Sequence, residues 1–167
     1  MDHQTADAES FRLLFVCTGN TCRSPMAEAI ARRDLETLGW TNVEVGSAGV
    51  SAYDGMPATE GARRAAQRHG LDLASHRTTS LTPELVAWAD LILVMGPSHF
   101  VRVAELGGAE RTALLTSFAE GEEAEGVDGA GVPDPFGGDD DDYERAYESL
   151  DRLVGLALRR LEPILAP

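Results

Sequence analysis

The sequence has 167 residues, of which 43% are apolar and 25% charged, a composition typical of one soluble globular domain. Its 14 basic residues, all arginine, face 28 acidic ones, and this net charge of −14 argues against binding to nucleic acids or anionic membranes. No apolar run approaches the roughly 20 residues that span a bilayer, and residues 1–10 lack a signal-peptide pattern, so we expect a cytoplasmic monomer.

The first predicted unit is a strand followed directly by a helix. Residues 12–16 form a short apolar run, which predicts a buried strand. A helix is predicted from Ser24-Pro25, with serine as its cap and proline in its first turn, to Gly39. Its apolar residues lie at helical spacing on one face: Ala27, Ile30, Ala31, Leu35 and Leu38. A short second strand is predicted at 43–45.

The middle of the chain continues this alternation. Helices are predicted over residues 59–69, 82–89 and 97–105, since each begins or ends with a suitable threonine, proline or glycine. The clearest buried strand lies within residues 90–96, and a weaker one is predicted at 111–115. About four alternations of strand and helix indicate a parallel sheet covered by helices on both faces.

Two segments differ from the rest. Residues 1–10 are predicted to be a flexible extension, and the acidic, glycine-rich residues 120–131 an exposed mobile loop. A last amphipathic helix is predicted over about 141–161, with Pro163 beyond its end. No second domain or internal repeat is apparent, so residues 1–167 are interpreted as one domain.

The residues between the first strand and the first helix form an anion-binding pattern. A turn from a strand into a helix directs several backbone N–H groups at one point, where the helix dipole adds positive potential. Gly19 permits close approach of a ligand, and Asn20 is a residue type that tolerates the left-handed region. Arg23 adds a planar fork that fits a phosphate.

Cys17 lies at the mouth of this loop, where positive potential favours the nucleophilic thiolate. A hydrogen bond from Ser24 would stabilise it further. The pattern predicts attack of sulfur on phosphorus to give a cysteinyl-phosphate. Asp134, held between two prolines and near a phenylalanine that would partly desolvate it, is the candidate acid and then base. Alternatively, Asp134 is an ordinary turn residue.

The segment CTGNTCRSPMAE resembles the phosphate-binding loop of the low-molecular-weight protein tyrosine phosphatase family, whose signature is C-x5-R-S. Ser47-Ala48-Gly49 and Asp134-Pro135 match in the expected order, so the resemblance spans about residues 12–162. It implies a four-stranded parallel sheet with helices on both faces, and hydrolysis of phosphorylated proteins without a metal or other cofactor.

The resemblance also assigns roles to residues. Cys17 would be the nucleophile, Arg23 the phosphate ligand and Asp134 the acid and base. Ser47 would support the loop through a hydrogen bond to Asn20, which would be the left-handed residue. The remaining residues expected to contact substrate are Thr18, Gly19, Asn20, Thr21, Cys22, Ser24 and Phe136. His76 either supports the loop from behind or has a surface role.

Thr21 departs from the tyrosine-specific members, which usually carry a larger aliphatic residue there. Together with Phe136-Gly137-Gly138 after the D-P pair, it makes the chain most similar to the bacterial protein-arginine phosphatase branch. A threonine hydroxyl suits a polar guanidinium, whereas isoleucine suits a phenyl ring. We therefore predict hydrolysis of phosphoarginine, with tyrosine phosphatase activity as the alternative.

Other activities are less compatible with the residues present. An arsenate reductase that uses this loop needs further cysteines late in the chain, and the sequence contains only Cys17 and Cys22. A non-catalytic phosphoprotein-binding module would have no use for both Cys17 and Asp134. Cys22 is interpreted either as a buried packing residue or as a partner that forms a reversible disulfide with Cys17 and protects it from over-oxidation.

Overall fold

The computed structural model describes residues 10–121 and 131–166, which form a single four-stranded parallel sheet with helices on both faces. The strands run in the order β2-β1-β3-β4. Their bounds are Phe11–Cys17 (β1), Val43–Gly49 (β2), Leu91–Val94 (β3) and Thr112–Leu114 (β4). The fold class predicted from the sequence is therefore confirmed.

Six α-helices are found among the described residues, and the sequence predicted all but one of them. They are Arg23–Leu38 (α1), Glu60–Arg68 (α2), Pro83–Trp88 (α3), Pro97–Glu105 (α4), Leu115–Glu120 (α5) and Asp140–Leu165 (α6). The unpredicted helix is α5, and a short 3₁₀ turn at Ala109–Arg111 was also missed. None of the helices within the described residues has the length and apolar character needed to cross a membrane.

The central strand β1 divides the core into two layers, because successive side chains point to opposite faces of a sheet. Leu13 and Phe15 pack in one layer with apolar residues of α1, α2, α5 and α6. Leu14 and Val16 pack in the other with residues of α3 and α4. Burial on both faces explains why the strand is continuously apolar from Leu13 to Cys17.

Several predicted helix ends are confirmed. The Thr59 and Thr82 side chains cap α2 and α3 by accepting N–H groups three residues later, from Ala62 and Leu85. Gly39, which ends α1, has a φ of 74°, a conformation that glycine adopts without steric cost.

The start of α1 differs from the prediction that Ser24 caps it. The helix begins at Arg23, Cys22 is the N-cap residue, and no side chain caps this end. Ser24 is instead inside the first turn, and its hydroxyl contacts Cys17 and Asn20. The first backbone N–H groups of α1 are therefore not occupied by a serine cap.

Three other predictions differ from the structure, two of them because tertiary contacts override local signals. The strand predicted at 43–45 continues to Gly49, since its last residues pair with β1 as far as Cys17. The last helix continues past Pro163 to Leu165, which is buried against the core. Leu38, predicted on the apolar face of α1, is 50% exposed at the end of that helix.

The sheet order places a topological switch point at the carboxyl ends of β1 and β3. The chain moves from β1 outward to β2, then crosses to β3 on the other side of β1. Ligands of open α/β sheets bind at such points. The predicted extension 1–10 and loop 120–131 lie, except for Ser10, Glu120, Gly121 and Gly131, outside the described residues.

Candidate active site

The loop between β1 and α1 lies at the switch point and is packed tightly against the end of β2. Cys17 ends β1 and is 2% exposed, and Arg23, which begins α1, is 6% exposed. A Cβ atom at Gly49 would lie 2.5 Å from the Thr18 carbonyl oxygen and 2.8 Å from the Asn20 nitrogen. Only glycine fits there, which explains the last letter of the S-A-G motif.

The Cys17 sulfur lies 2.9 Å from the Ser24 hydroxyl, as predicted. The Asn20 amide donates a hydrogen bond of 2.7 Å to that hydroxyl oxygen. Ser24 accepts from Asn20, and its own proton lies between the Cys17 sulfur at 2.9 Å and the Ala48 carbonyl oxygen at the longer distance of 3.4 Å. A charged sulfur accepts such a bond more strongly than a neutral one, so the Ser24 hydroxyl is placed to stabilise negative charge on the Cys17 sulfur during a reaction.

Asn20 is the conformational centre of the loop. Its φ is 59°, and it is the only non-glycine residue with positive φ in the described parts of the chain. Its amide donates to Ser47 Oγ at 3.0 Å and accepts from the Thr79 N–H at 2.9 Å. His76 Nε2 donates to its carbonyl at 2.8 Å. The φ of Asn20, its bond to Ser47 and the place of His76 behind the loop agree with the supporting roles expected for these residues, which stay predictions.

Behind Ser47 the hydrogen-bond chain continues to residues that sequence reasoning missed. The Ser47 hydroxyl donates to Glu28 Oε1 at 2.6 Å, and Glu28 forms an ion pair of 2.6 Å with Arg32. Glu28 is the last residue of the quoted segment CTGNTCRSPMAE. Its place on α1 next to β2 was not predictable from spacing alone, because β2 was predicted to end before Ser47.

Arg23 is buried, and both terminal nitrogens of its guanidinium have partners near the loop. Its Nη1 donates to the Val132 carbonyl at 2.9 Å. Its Nη2 lies 3.4 Å from Thr18 Oγ1 and 3.5 Å from Asp134 Oδ2. Its Nε has no hydrogen-bond partner among the described residues. The predicted phosphate ligand and the predicted acid therefore converge on the loop.

Asp134 combines a turn with a free carboxylate oxygen. Its Oδ1 accepts the Phe136 N–H at 3.1 Å and so stabilises a turn, while Oδ2 faces Arg23 at 3.5 Å, a geometry compatible with both interpretations of Asp134. The Asp134 side chain is 47% exposed and Phe136 is 69% exposed. The expectation that the phenyl ring partly desolvates Asp134 is wrong in this structure, because the ring projects into solvent.

A cavity of about 510 Å³ opens beside the loop and brings Thr21 and Phe136 together. It is also lined by Gly19, Tyr53 and Met56. A Cβ atom at Gly19 would lie 3.4 Å from the Thr21 hydroxyl, so this hydroxyl is directly beside the loop backbone. Thr21, on which the predicted substrate depends, therefore lies at the wall of a cavity that can hold a side chain.

Cys22 is buried, and its sulfur contacts the Thr21 hydroxyl of the loop at 3.6 Å as well as two residues outside the loop. It lies 3.4 Å from Thr59 Oγ1 and 3.5 Å from the Tyr143 hydroxyl. Burial raises the pKa of Tyr143 to about 12. Only the backbone of Cys22 is thus available to a substrate. Both cysteines are free thiols in this structure, so disulfide formation between them stays a prediction.

Sequence reasoning also missed His99, in the first turn of α4. Its Nε2 lies 2.8 Å from Thr18 Oγ1, which is the side chain next to the nucleophile. Burial lowers the pKa of His99 from 6.5 to about 4, and the nearby charge of Arg23 acts in the same direction. No sequence signal links the two residues, which are 81 positions apart.

The site matches a known family. A family model described as low molecular weight phosphotyrosine protein phosphatase matches residues 12–163. The chain belongs to this family. Among the described residues of this family member, no group of three or more histidine, cysteine, aspartate or glutamate side chains is arranged to hold a metal ion.

Relatives of this low-molecular-weight phosphatase cover nearly its whole length. A protein-arginine-phosphatase of Geobacillus stearothermophilus is 36% identical over 154 residues, 91% of this chain and 97% of the relative. The low molecular weight protein-tyrosine-phosphatase Etp of Escherichia coli K12 is 35% identical over 142 residues, 84% of this chain and 87% of the relative.

A solved structure of a YwlE arginine phosphatase mutant with a phosphorylated active-site serine superimposes with a TM-score of 0.84. It is 35% identical and covers 92% of this chain and 97% of its own. The predicted family resemblance and the predicted class of enzyme, a protein phosphatase, are therefore confirmed.

Proposed function

We propose that the chain hydrolyses phosphoarginine in proteins through a cysteinyl-phosphate formed on Cys17. The observation that supports this substrate is the position of Thr21 at the wall of a cavity that the aromatic residue Phe136 also lines. The similarity to a protein-arginine-phosphatase supports the same choice. The cytoplasmic location and monomeric state predicted from the sequence form part of this proposal.

In the first step the Cys17 thiolate attacks phosphorus and the bond from phosphorus to the guanidinium nitrogen breaks. The loop N–H groups and the Arg23 guanidinium hold the phosphoryl oxygens and stabilise the charge that develops on them. Asp134, protonated at this stage, gives its proton to the leaving nitrogen. The distance of 3.5 Å between Asp134 Oδ2 and Arg23 Nη2 supports a position for Asp134 next to the bound phosphoryl group.

In the second step Asp134, now a carboxylate, removes a proton from water, and the water oxygen attacks phosphorus. The bond from sulfur to phosphorus breaks, inorganic phosphate leaves and the thiolate is restored. Ser24 stabilises the leaving sulfur, since its hydroxyl lies 2.9 Å from Cys17. Breaking this bond is the point at which negative charge returns to the sulfur, so Ser24 contributes most here.

The cavity beside the loop offers contacts that suit a phosphoarginine side chain. The Thr21 hydroxyl is a hydrogen-bond partner for guanidinium N–H groups or for a bridging water. A planar guanidinium also stacks on an aromatic face such as that of Phe136. The net charge of −14 attracts segments rich in basic residues, where arginine is common.

Tyrosine phosphatase activity is the second candidate, and one observation favours it. The same cavity is lined by Tyr53 and Met56 as well as Phe136, which gives it apolar surface for a phenyl ring. The similarity to Etp, which is named a protein-tyrosine-phosphatase, agrees with this alternative.

The deciding experiment compares two peptides of identical sequence that carry phosphoarginine or phosphotyrosine at the same position. We expect a higher kcat/KM for phosphoarginine in the wild type, a shift toward phosphotyrosine in Thr21→Ile, and no turnover of either by Cys17→Ser. A wild-type preference for phosphotyrosine that Thr21→Ile leaves unchanged would contradict the arginine assignment. Phosphate binding by a wild type that turns over neither peptide would instead support a non-catalytic binding module.

A further inference from the structure

A buried histidine lies at the switch point, and its burial disfavours the charged form of the ring. His99 is 3% exposed and lies in the first turn of α4, which begins at Pro97. Its Nε2 is 2.8 Å from Thr18 Oγ1, and its Nδ1 has no hydrogen-bond partner among the described residues. The side chain therefore makes a single described hydrogen bond, and that bond reaches the loop.

The Thr18 hydroxyl lies between this imidazole and the Arg23 guanidinium. Arg23 Nη2 is 3.4 Å from Thr18 Oγ1. A guanidinium only donates hydrogen bonds, so it occupies one lone pair of the threonine oxygen. The proton or the second lone pair of that hydroxyl is then held by His99. Thr18 itself is exposed, so without His99 nothing described on that side fixes the rotation of its side chain.

The surroundings of His99 mostly favour a neutral imidazole. Burial removes water, Arg23 places a positive charge nearby, and the start of α4 presents the positive end of a helix dipole. Asp134 acts in the opposite direction and does not outweigh the others, since the pKa is lowered to about 4. Gly96 borders the Nδ1 side of the ring and adds no charge. A neutral imidazole binds a hydroxyl without repelling Arg23.

We propose that His99 is a positioning residue that aims Arg23 at the phosphoryl group through Thr18. The inference rests on the proposed function, in which Arg23 holds the transferring phosphoryl group. Val132 fixes Nη1 of the guanidinium, and the chain from His99 through Thr18 fixes Nη2. Two anchors define the plane of the fork, which matters most when the fork must match the equatorial oxygens of the transition state.

A double-mutant cycle tests whether His99 acts through Thr18. The variants are His99→Leu, Thr18→Val and their combination, and the readouts are kcat, KM and the Kd for inorganic vanadate. We expect each single variant to lower kcat and weaken vanadate binding about 10-fold, with a smaller change in KM, because positioning acts mainly on the transition state. The double variant should be no worse than Thr18→Val alone.

Two further variants separate positioning from packing. His99→Gln, whose amide reaches toward Thr18, should recover most of the vanadate affinity, whereas a purely structural role would not be rescued by it. His69→Gln, a histidine substitution on α2's carboxyl end away from the loop, should leave vanadate binding unchanged. If His99→Leu has no cooperative melting transition, His99→Asn replaces it, since the shorter side chain does not reach Thr18.

The outcomes separate this proposal from the proposed function. If the two substitutions act independently, vanadate affinity should fall about 100-fold in the double variant, and this result would overturn coupling through Thr18. Wild-type vanadate affinity in His99→Leu would overturn it as well. Failure of the wild type to hydrolyse either phosphopeptide would refute the proposed function. The vanadate cycle would still measure whether His99 and Thr18 act together on an oxyanion held by Arg23.

Discussion

The Asn20 amide and the Ser47 hydroxyl, 27 positions apart, join the phosphate-binding loop to β2 through a hydrogen bond of 3.0 Å. Asn20 holds a left-handed conformation that is unfavourable for a residue with a Cβ atom. Its side chain and carbonyl offset that cost through bonds to Ser24, Thr79 and His76 as well. The loop is thus held in shape before any substrate binds, as electrostatic preorganisation requires.

Asn20→Ala should therefore damage both stability and catalysis. The substitution removes three side-chain hydrogen bonds at a buried position, and the free energy of unfolding should fall by about 1–3 kcal/mol. We expect kcat to fall on the order of 100-fold, and only about 10-fold for Ser47→Ala, which breaks one of these bonds. Urea denaturation and steady-state kinetics measure the two effects, with Thr37→Ala, at an exposed position of α1 away from the loop, as the control. Equal kcat values for Asn20→Ala and the control would contradict a preorganised loop.

Ser24→Ala should slow the second chemical step more than the first. Its hydroxyl lies 2.9 Å from the Cys17 sulfur, which regains its negative charge when the cysteinyl-phosphate breaks down. We expect kcat to fall about 10- to 100-fold and the phosphorylated intermediate to accumulate. Rapid-quench measurements should show a burst of about one leaving group per enzyme, followed by slow turnover. A slow, burst-free reaction would mean that Ser24 acts chiefly on the attack.

The phosphate-binding loop was predictable because its residues form a short motif. A glycine, an asparagine and an arginine at fixed spacing after an apolar strand indicate a phosphate site, whereas the role of Ser47 was expected only from the family resemblance. The pairing of β2 with β1 as far as Gly49 was missed, because Gly46 and Gly49 weaken the local strand signal.

Contacts that depend on which strands are neighbours in the sheet could not be predicted from local sequence patterns. His99 reaches Thr18 because β3 lies beside β1, which a sequence of helices and strands does not specify by itself. Similarly, α6 runs through Pro163 because Leu165 is buried against the core, and a proline in the last turn removes just one N–H group there.

Peroxide should inactivate the enzyme in a way that a thiol reductant reverses, if Cys22 protects Cys17 by forming a disulfide. The Cys22 sulfur now contacts Thr59 and the Tyr143 hydroxyl, so the disulfide requires the loop to leave those contacts. We expect Cys22→Ser, which keeps a small polar side chain there, to lose most of the recoverable activity after the same peroxide dose. Activity after dithiothreitol treatment measures this, and equal recovery would rule out protection by Cys22.

The low pKa of His99 predicts how stability changes with pH. The pKa is about 4 in the folded protein, because burial and Arg23 disfavour the charged ring, whereas the ordinary value is 6.5. Between these values the unfolded chain binds more protons than the folded one, so the free energy of unfolding should fall as the pH is lowered from about 6.5 to 4.

His99→Gln removes this titration but leaves the other ionisable groups in place. We expect the stability of the wild type relative to His99→Gln to decrease on acidification, with a slope approaching one proton per unfolding event. Urea denaturation of both proteins at a series of pH values measures that difference, and a difference independent of pH would show that His99 titrates alike in the folded and unfolded chain.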